Sequence, residues 1–198
     1  MTVHRARAIE PAALAELRVT DDAGRPCVPY VDEEGGDPLR CCLRAIRPGE
    51  RVALVSYAPL RRWAAAHGVD PGAYDEQGPV FVHAGECAGG AGGAGGVRGE
   101  AGTGGAGGVR GAGGTGPADA AAPPAGSYPF ARPGASRVLR RYGADGRILG
   151  GRLLELPEAA TEAFDQALTE TFADPDVALV HVRAVEYGCF HFEVRRGE

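Results

Sequence analysis

The alternation of apolar and polar residues divides the chain into short elements. Arg51-Val-Ala-Leu-Val-Ser-Tyr57 reads as a strand held between Pro48-Gly49 and Pro59. Val80-Phe-Val-His-Ala84, introduced by Gly78-Pro79, reads as a second, apolar on both faces apart from His83. Ser136–Tyr142 and Arg147–Glu155 flank Gly143-Ala-Asp-Gly146, which is turn chemistry suited to a hairpin. Leu156, Ala160, Phe164, Ala167, Leu168 and Phe172 recur at helical spacing and predict the main helix, opened by Pro157 and ended by Asp174-Pro175. Shorter helices are expected after Glu10-Pro11, with Leu14 and Leu17 on one side, and over Leu60–His67, where Gly68 stands at a left-handed C-cap. Thr2–Ile9 alternates weakly, as an edge strand does, and 21–37 reads as a loop. Val177–Ala184 and Cys189–Arg195 are the last two strands. The pattern predicts an α+β domain on a mostly antiparallel sheet with two or three helices.

The last hairpin concentrates the polar chemistry. Val180 and Val182 alternate with His181 and Arg183, and Phe190, Phe192 and Val194 alternate with Cys189, His191 and Glu193. Strand pairing keeps both apolar sets on one face only if residues of equal parity are paired, because a one-residue slip flips every side chain. A five-residue connection, 184–188, predicts Arg183 opposite Cys189 and His181 opposite His191. His181, Arg183, Cys189, His191 and Glu193 then share the face away from the core.

Composition adds one feature and removes several. Half of the 32 glycines lie between Ala88 and Gly116, where Gly-Gly-Ala-Gly-Gly-Val-Arg-Gly occurs at 92–99 and again at 104–111. Such a segment has almost nothing to bury against the entropy of ordering, so 88–126 is expected to be a flexible, disordered insert within a single domain spanning 1–198. The net charge is −5 and every basic side chain is an arginine. The acidic balance argues against nucleic acid as the main partner. The absence of lysine removes Walker A and Schiff-base chemistry. No Gly-x-Ser-x-Gly elbow occurs, and no apolar run is long enough for a membrane span or a leader, so a cytoplasmic protein with cysteine thiols is expected. The arginines at 137, 140, 141, 147 and 152 read as a solvated hairpin face.

Three ordered blocks carry a family resemblance: Cys42-Leu-Arg44 with Pro48-Gly-Glu50 and Ser56-Tyr57; Gly78-Pro-Val-Phe-Val-His-Ala84 with Cys87; and Val180-His-Val-Arg183 with Gly188-Cys-Phe190. Together they resemble the bacterial domain of unknown function family numbered 1203, and the resemblance implies no activity. Relatives often carry a second cysteine three residues before the one matching Cys42. This chain has Leu39 there and Cys41 as an extra neighbour. If that cysteine is a metal ligand in relatives, the resemblance implies weakened metal binding here.

Three chemistries fit the polar residues. Cys42, His83, Cys87, His181 and Cys189 offer the sulfur and nitrogen donors that zinc takes, with His83-x-x-x-Cys87 as the local pair and no Cys-x-x-Cys unit to anchor them. The plain alternative is that the cysteines pack as small hydrophobes around a hydrogen-bonded core histidine. Cys189 is the candidate nucleophile, with His181 or Arg183 lowering its pKa and Glu193 orienting an imidazole, against the alternative of a merely solvated sheet face. His83, His181, Arg183, Cys189 and His191 form a candidate binding face for an anionic small molecule. The leading expectation is therefore a small-molecule or metal binding or sensing module. A thiol-dependent enzyme and a structural or protein-interaction module without a site are the alternatives.

Overall fold

Phe164, Leu168 and Phe172 recur every three to four residues, so a helix through them must lay one apolar stripe on a partner surface. The computed structural model, which describes residues 4–87 and 128–196, supplies that surface as a four-stranded sheet. Its strands are β4 (Ser136–Gly143), β5 (Ile148–Glu155), β6 (Val177–Ala184) and β7 (Phe190–Arg195), antiparallel in the order β5-β4-β6-β7. The helix, α3 (Ala160–Phe172), buries its stripe against Leu139, Val180, Val182, Phe192 and Val194. It begins four residues later than the apolar spacing predicts. Leu156 is buried in the same core, but its backbone is held by Ala135 and Gly134 at 3.0 and 2.8 Å, which keeps it and Pro157 out of the helix.

A second sheet, in place of the single one expected, holds β1 (Tyr30–Asp32), β2 (Glu50–Tyr57) and β3 (Gly78–His83), also antiparallel. β1 lies inside the segment read as a loop. Its three residues are largely solvent-facing and give no alternation to detect. Helix α1 (Pro11–Leu17) packs Leu14 and Leu17 into the core of this sheet. Helix α2 (Pro59–His67) ends at Gly68 with φ 65°, as expected of a left-handed cap, and packs Leu60, Trp63 and Ala64 against Tyr142 and Leu179. The segment before α1 meets β7 at one antiparallel bridge, Arg7 with Glu193, while Thr2 and Val3 of the expected edge strand lie outside the described residues. The glycine-rich insert lies outside them as well.

The four-stranded sheet is therefore covered on both faces, and β6 is buried nearly throughout. This corrects the last hairpin in two ways. Residues of equal parity do pair, but shifted by two: His181 faces Glu193 and Val182 faces Phe192. A bulge between Val182 and Arg183 then sets Arg183 opposite Phe190. A bulge adds a residue to one strand and reverses the facing of the side chains beyond it. Phe190 consequently joins the core of the smaller sheet, while His191 leaves His181 and packs edge-on to Phe130 at 5.3 Å. The expected polar face exists around His181, but it is interior. No helix among the described residues is long and apolar enough to cross a membrane.

Removing the side chain that α3 drives into the sheet should cost what a core aromatic costs. Phe164→Ala is expected to lower stability by about 3–5 kcal/mol in urea unfolding, and Leu153→Ala, on the exposed face of β5, by no more than about 0.5 kcal/mol. Comparable losses at the two positions would mean that α3 does not carry the core.

Candidate functional site

Residues Leu39–Leu43 run beside β3, with a parallel bridge between Leu39 and Phe81 and a hydrogen bond from the Arg40 amide to the Phe81 carbonyl at 2.9 Å. The chain then turns back at Leu43, whose φ of 60° is a left-handed conformation rarely taken by a branched side chain. That turn presents the two adjacent thiols of Cys41 and Cys42 to the end of β3. There they meet His83, and Cys87 joins them from four residues further on. One donor atom from each of Cys41, Cys42, His83 and Cys87 lies within 4.8 Å of every other. The two sulfurs of Cys41 and Cys42 are 4.0 Å apart, and His83 Nδ1 is 3.2 Å from the first and 3.9 Å from the second. In a tetrahedral zinc site, with Zn–S about 2.3 Å and Zn–N about 2.0 Å, donor atoms sit about 3.5–3.8 Å from one another. The three separations among Cys41, Cys42 and His83 Nδ1 lie within about 0.4 Å of that range. Both thiols of the pair are buried and they are not equivalent. The hydrogen bond between Cys41 and Cys42 lowers the Cys41 pKa against the opposing effect of burial, while the same bond together with burial pushes Cys42 up to about 12. No disulfide links the cysteines.

The far side of His83 is also arranged. Nε2 lies 2.9 Å from Arg44 Nη2 and 3.7 Å from Glu50 Oε2. Arg44 and Glu50 form a two-bond ion pair, which holds the Glu50 carboxyl down at about 2. Arginine can only donate, so Nε2 accepts and the ring proton sits on Nδ1, facing Cys41.

A second constellation is interior. His181 is fully buried and holds Glu76 at 2.6 Å on Nδ1 and Glu193 at 3.2 Å on Nε2. Burial pulls its pKa down, but the bonds to Glu193 and Glu76 outweigh it and the net shift is upward. Burial likewise opposes ionisation of Glu76, yet His181 and Arg183 hold it down at about 2. Arg183 reaches Glu76 at 2.6 Å, and Arg195 reaches Glu193 at 2.6 Å. Glu193 also borders a cleft of about 240 Å³ lined by Tyr57, Trp63, Arg62 and Arg195.

Of the five metal candidates, Cys42, His83 and Cys87 converge, whereas His181 and Cys189 are elsewhere. Both His181 nitrogens are taken by carboxylates, and the nearest hydrogen-bonding partner of the Cys189 thiol is the Tyr187 carbonyl at 3.9 Å. The Cys189–His181 pair that a thiol nucleophile needs is not formed, because the shifted register sets Glu193 opposite His181. The binding candidates divide in three: His83 belongs to the thiol cluster, His181 and Arg183 to the charge network, and His191 to the other side of the sheet. Sequence reasoning passed over Cys41 and Glu76. Cys41 was legible as half of a Cys-Cys pair at a turn. Glu76 lies in the irregular segment before β3, and nothing in the pattern links it to His181.

A family model described as protein of unknown function (DUF1203) matches residues 36–99 and 116–196, so the chain belongs to that family. No curated protein and no solved structure matches it. The family match includes all four residues of the thiol–imidazole cluster. Leu39 is wholly buried in the core, and Cys41 is the member of this turn that joins Cys42 in the cluster.

Glu76→Gln should destabilise the protein by about 3–5 kcal/mol at neutral pH, since it leaves buried cations without their counter-charge. The imidazole of His181 should remain protonated above its ordinary value of 6.5. Its pKa is higher in the folded state, so its contribution is complete below pH 6.5 and is lost as pH rises through the folded value. Ring-carbon NMR shifts across a pH titration measure this, and a ring already neutral at pH 6.5 would contradict it.

Proposed function

Family membership assigns no activity, and from the donor set we propose that the protein binds zinc through Cys41, Cys42, His83 and Cys87. The observation that carries the reading is the convergence of three sulfurs and one imidazole nitrogen within 4.8 Å of one another. Thiolate and imidazole donors select zinc over calcium or magnesium, which take oxygen. Four protein ligands fill the tetrahedron and leave no position for a reacting water, so the ion serves as a clamp or a sensor and not as a hydrolytic centre. It ties the 39–43 turn to the end of β3 and to Cys87.

Loading requires protons to leave. The Cys42 thiol, at about 12 without metal, must be deprotonated, and His83 must surrender its Nδ1 proton. A neutral imidazole ligated through Nδ1 carries its proton on Nε2, where Arg44 cannot accept it. Glu50 is the acceptor within reach, 3.7 Å away. Glu50 is therefore a positioning residue that orients His83 from the far side, as carboxylates do for zinc-bound histidines.

Protein purified under reducing conditions should contain about one zinc ion per chain, with Co²⁺ substitution giving the intense visible bands of a tetrahedral thiolate site. Cys41→Ser and His83→Ala should each abolish this, and chelation should lower the melting temperature. Glu50→Gln should keep the stoichiometry while weakening zinc binding about 10–100-fold. Affinity should fall as pH is lowered, because protons compete for the thiolates. Reduced protein that takes up no zinc at micromolar concentration, with all five thiols titratable, would end the proposal.

A further inference from the structure

The two residues on either side of the bulge, Arg183 and His191, lead to a cluster that the zinc reading does not use. Arg40 and Arg137 are each almost completely buried, at 3% exposure. Burial of Arg137 corrects its expected place on a solvated hairpin face. Neither has a carboxylate in ion-pair contact among the described residues. Their guanidiniums donate to backbone carbonyls only: Arg40 to Phe190 and Pro38, Arg137 to Ser136 and Phe130. The acidic groups whose charge reaches them are the partly buried Cys189 thiol and the exposed Asp37 for Arg40, and the exposed Glu186 for Arg137. A buried cation without a counter-charge is costly, and the cost persists in a fold only if something offsets it.

His191 lies in the field of the same groups. It is 6% exposed, and burial with the charges of Arg40, Arg137, Arg132 and Arg183 brings its pKa down to about 3. Two buried polar atoms here have no hydrogen-bond partner, Arg137 Nε and His191 Nδ1. Phe130 closes the cluster. Its ring lies 5.3 Å from His191 and 5.9 Å from the Arg40 guanidinium, and its backbone is held at φ 64°, a left-handed value. Arg183 is balanced by Glu76 on one side and gives its other nitrogen to the Gly188 carbonyl.

We propose that Arg40, Arg137 and His191, gathered around Phe130, bind a phosphate-type oxyanion, either free phosphate or a phosphate monoester. Guanidinium forks match the oxygens of such a group, and several of them around one point match a dianion better than a single carboxylate. The unpaired Nε of Arg137 is a donor it would satisfy, and the unpaired Nδ1 of the neutral His191 is a second in the Nδ1–H tautomer. Phe130 provides an apolar wall for the rest of an ester.

Calorimetric titration of the purified full-length protein with inorganic phosphate at low ionic strength tests this. Saturable binding of one phosphate is expected, with sulfate competing and chloride not. Arg137→Gln should weaken it at least about tenfold, the loss of one charge-assisted contact. Phenyl phosphate binding more tightly than inorganic phosphate would identify an ester as the ligand, and equal affinity the free ion. Ring NMR signals of His191 in the unmutated protein should move with phosphate along the same isotherm, which keeps the test decisive if Arg137→Gln fails to fold. Absence of saturable phosphate binding, or binding that leaves the His191 signals unmoved, would overturn the proposal.

Discussion

The cost of removing charge from water governs this structure. β6 is covered by α3 on one face and by α2 on the other, so His181 at its centre has no route to solvent. His181 meets that constraint by standing between two carboxylates, and each carboxylate is in turn held by an arginine. Such a network is not strong evidence of stability, because apolar packing of equal volume often does as well. What it does is fix position. Glu76 comes from the segment before β3 and Glu193 from β7, so a single imidazole sets the irregular chain between α2 and β3 against the large sheet. Removing one member leaves the others charged in a dry interior, which makes the arrangement hard to change piecemeal.

The same rule separates the two clusters proposed as ligand sites from the histidine–carboxylate network. In the network each charge has an opposite charge at contact distance. In the thiol cluster three acidic thiols surround one imidazole, and the pair Cys41–Cys42 splits its proton affinities because the hydrogen bond between them favours the thiolate of Cys41 and the thiol of Cys42. In the arginine cluster the excess is positive, and His191 responds by remaining neutral. The network is complete in itself, whereas the buried guanidiniums of Arg40 and Arg137 have no carboxylate in contact among the described residues.

Most of the fold was legible because it rests on periodicity. The strands other than β1, the stripe of α3 and the glycine cap of α2 all follow from spacing. The start of α3 was not, since Leu156 fits the stripe and yet its backbone belongs to the neighbouring loop. Nor was the bulge in the last hairpin, which is set by what Phe190 packs against across the molecule rather than by the sequence of the two strands. The site was legible in type and not in membership. Cys42, His83 and Cys87 stood out by residue type, whereas Cys41 depended on a turn strained enough to aim both adjacent thiols the same way.

That turn shows how a segment without regular structure can be the most constrained part of a domain. Five successive side chains take separate environments: Leu39 in the core of the small sheet, Arg40 beside Phe130 and the Phe190 carbonyl, Cys41 and Cys42 at the imidazole, and Leu43 in the core under α3. Its backbone is fastened at both ends, by Ile9 and Phe81 on Arg40 and by the bond from the Leu43 amide to the Leu39 carbonyl. Rotating any one of these residues out of place would withdraw the others, because a turn with φ near 60° at a leucine has few neighbouring conformations to relax into. The left-handed leucine is therefore sustained by contacts on every side of it, and the thiol pair and the buried guanidinium share a single rigid support.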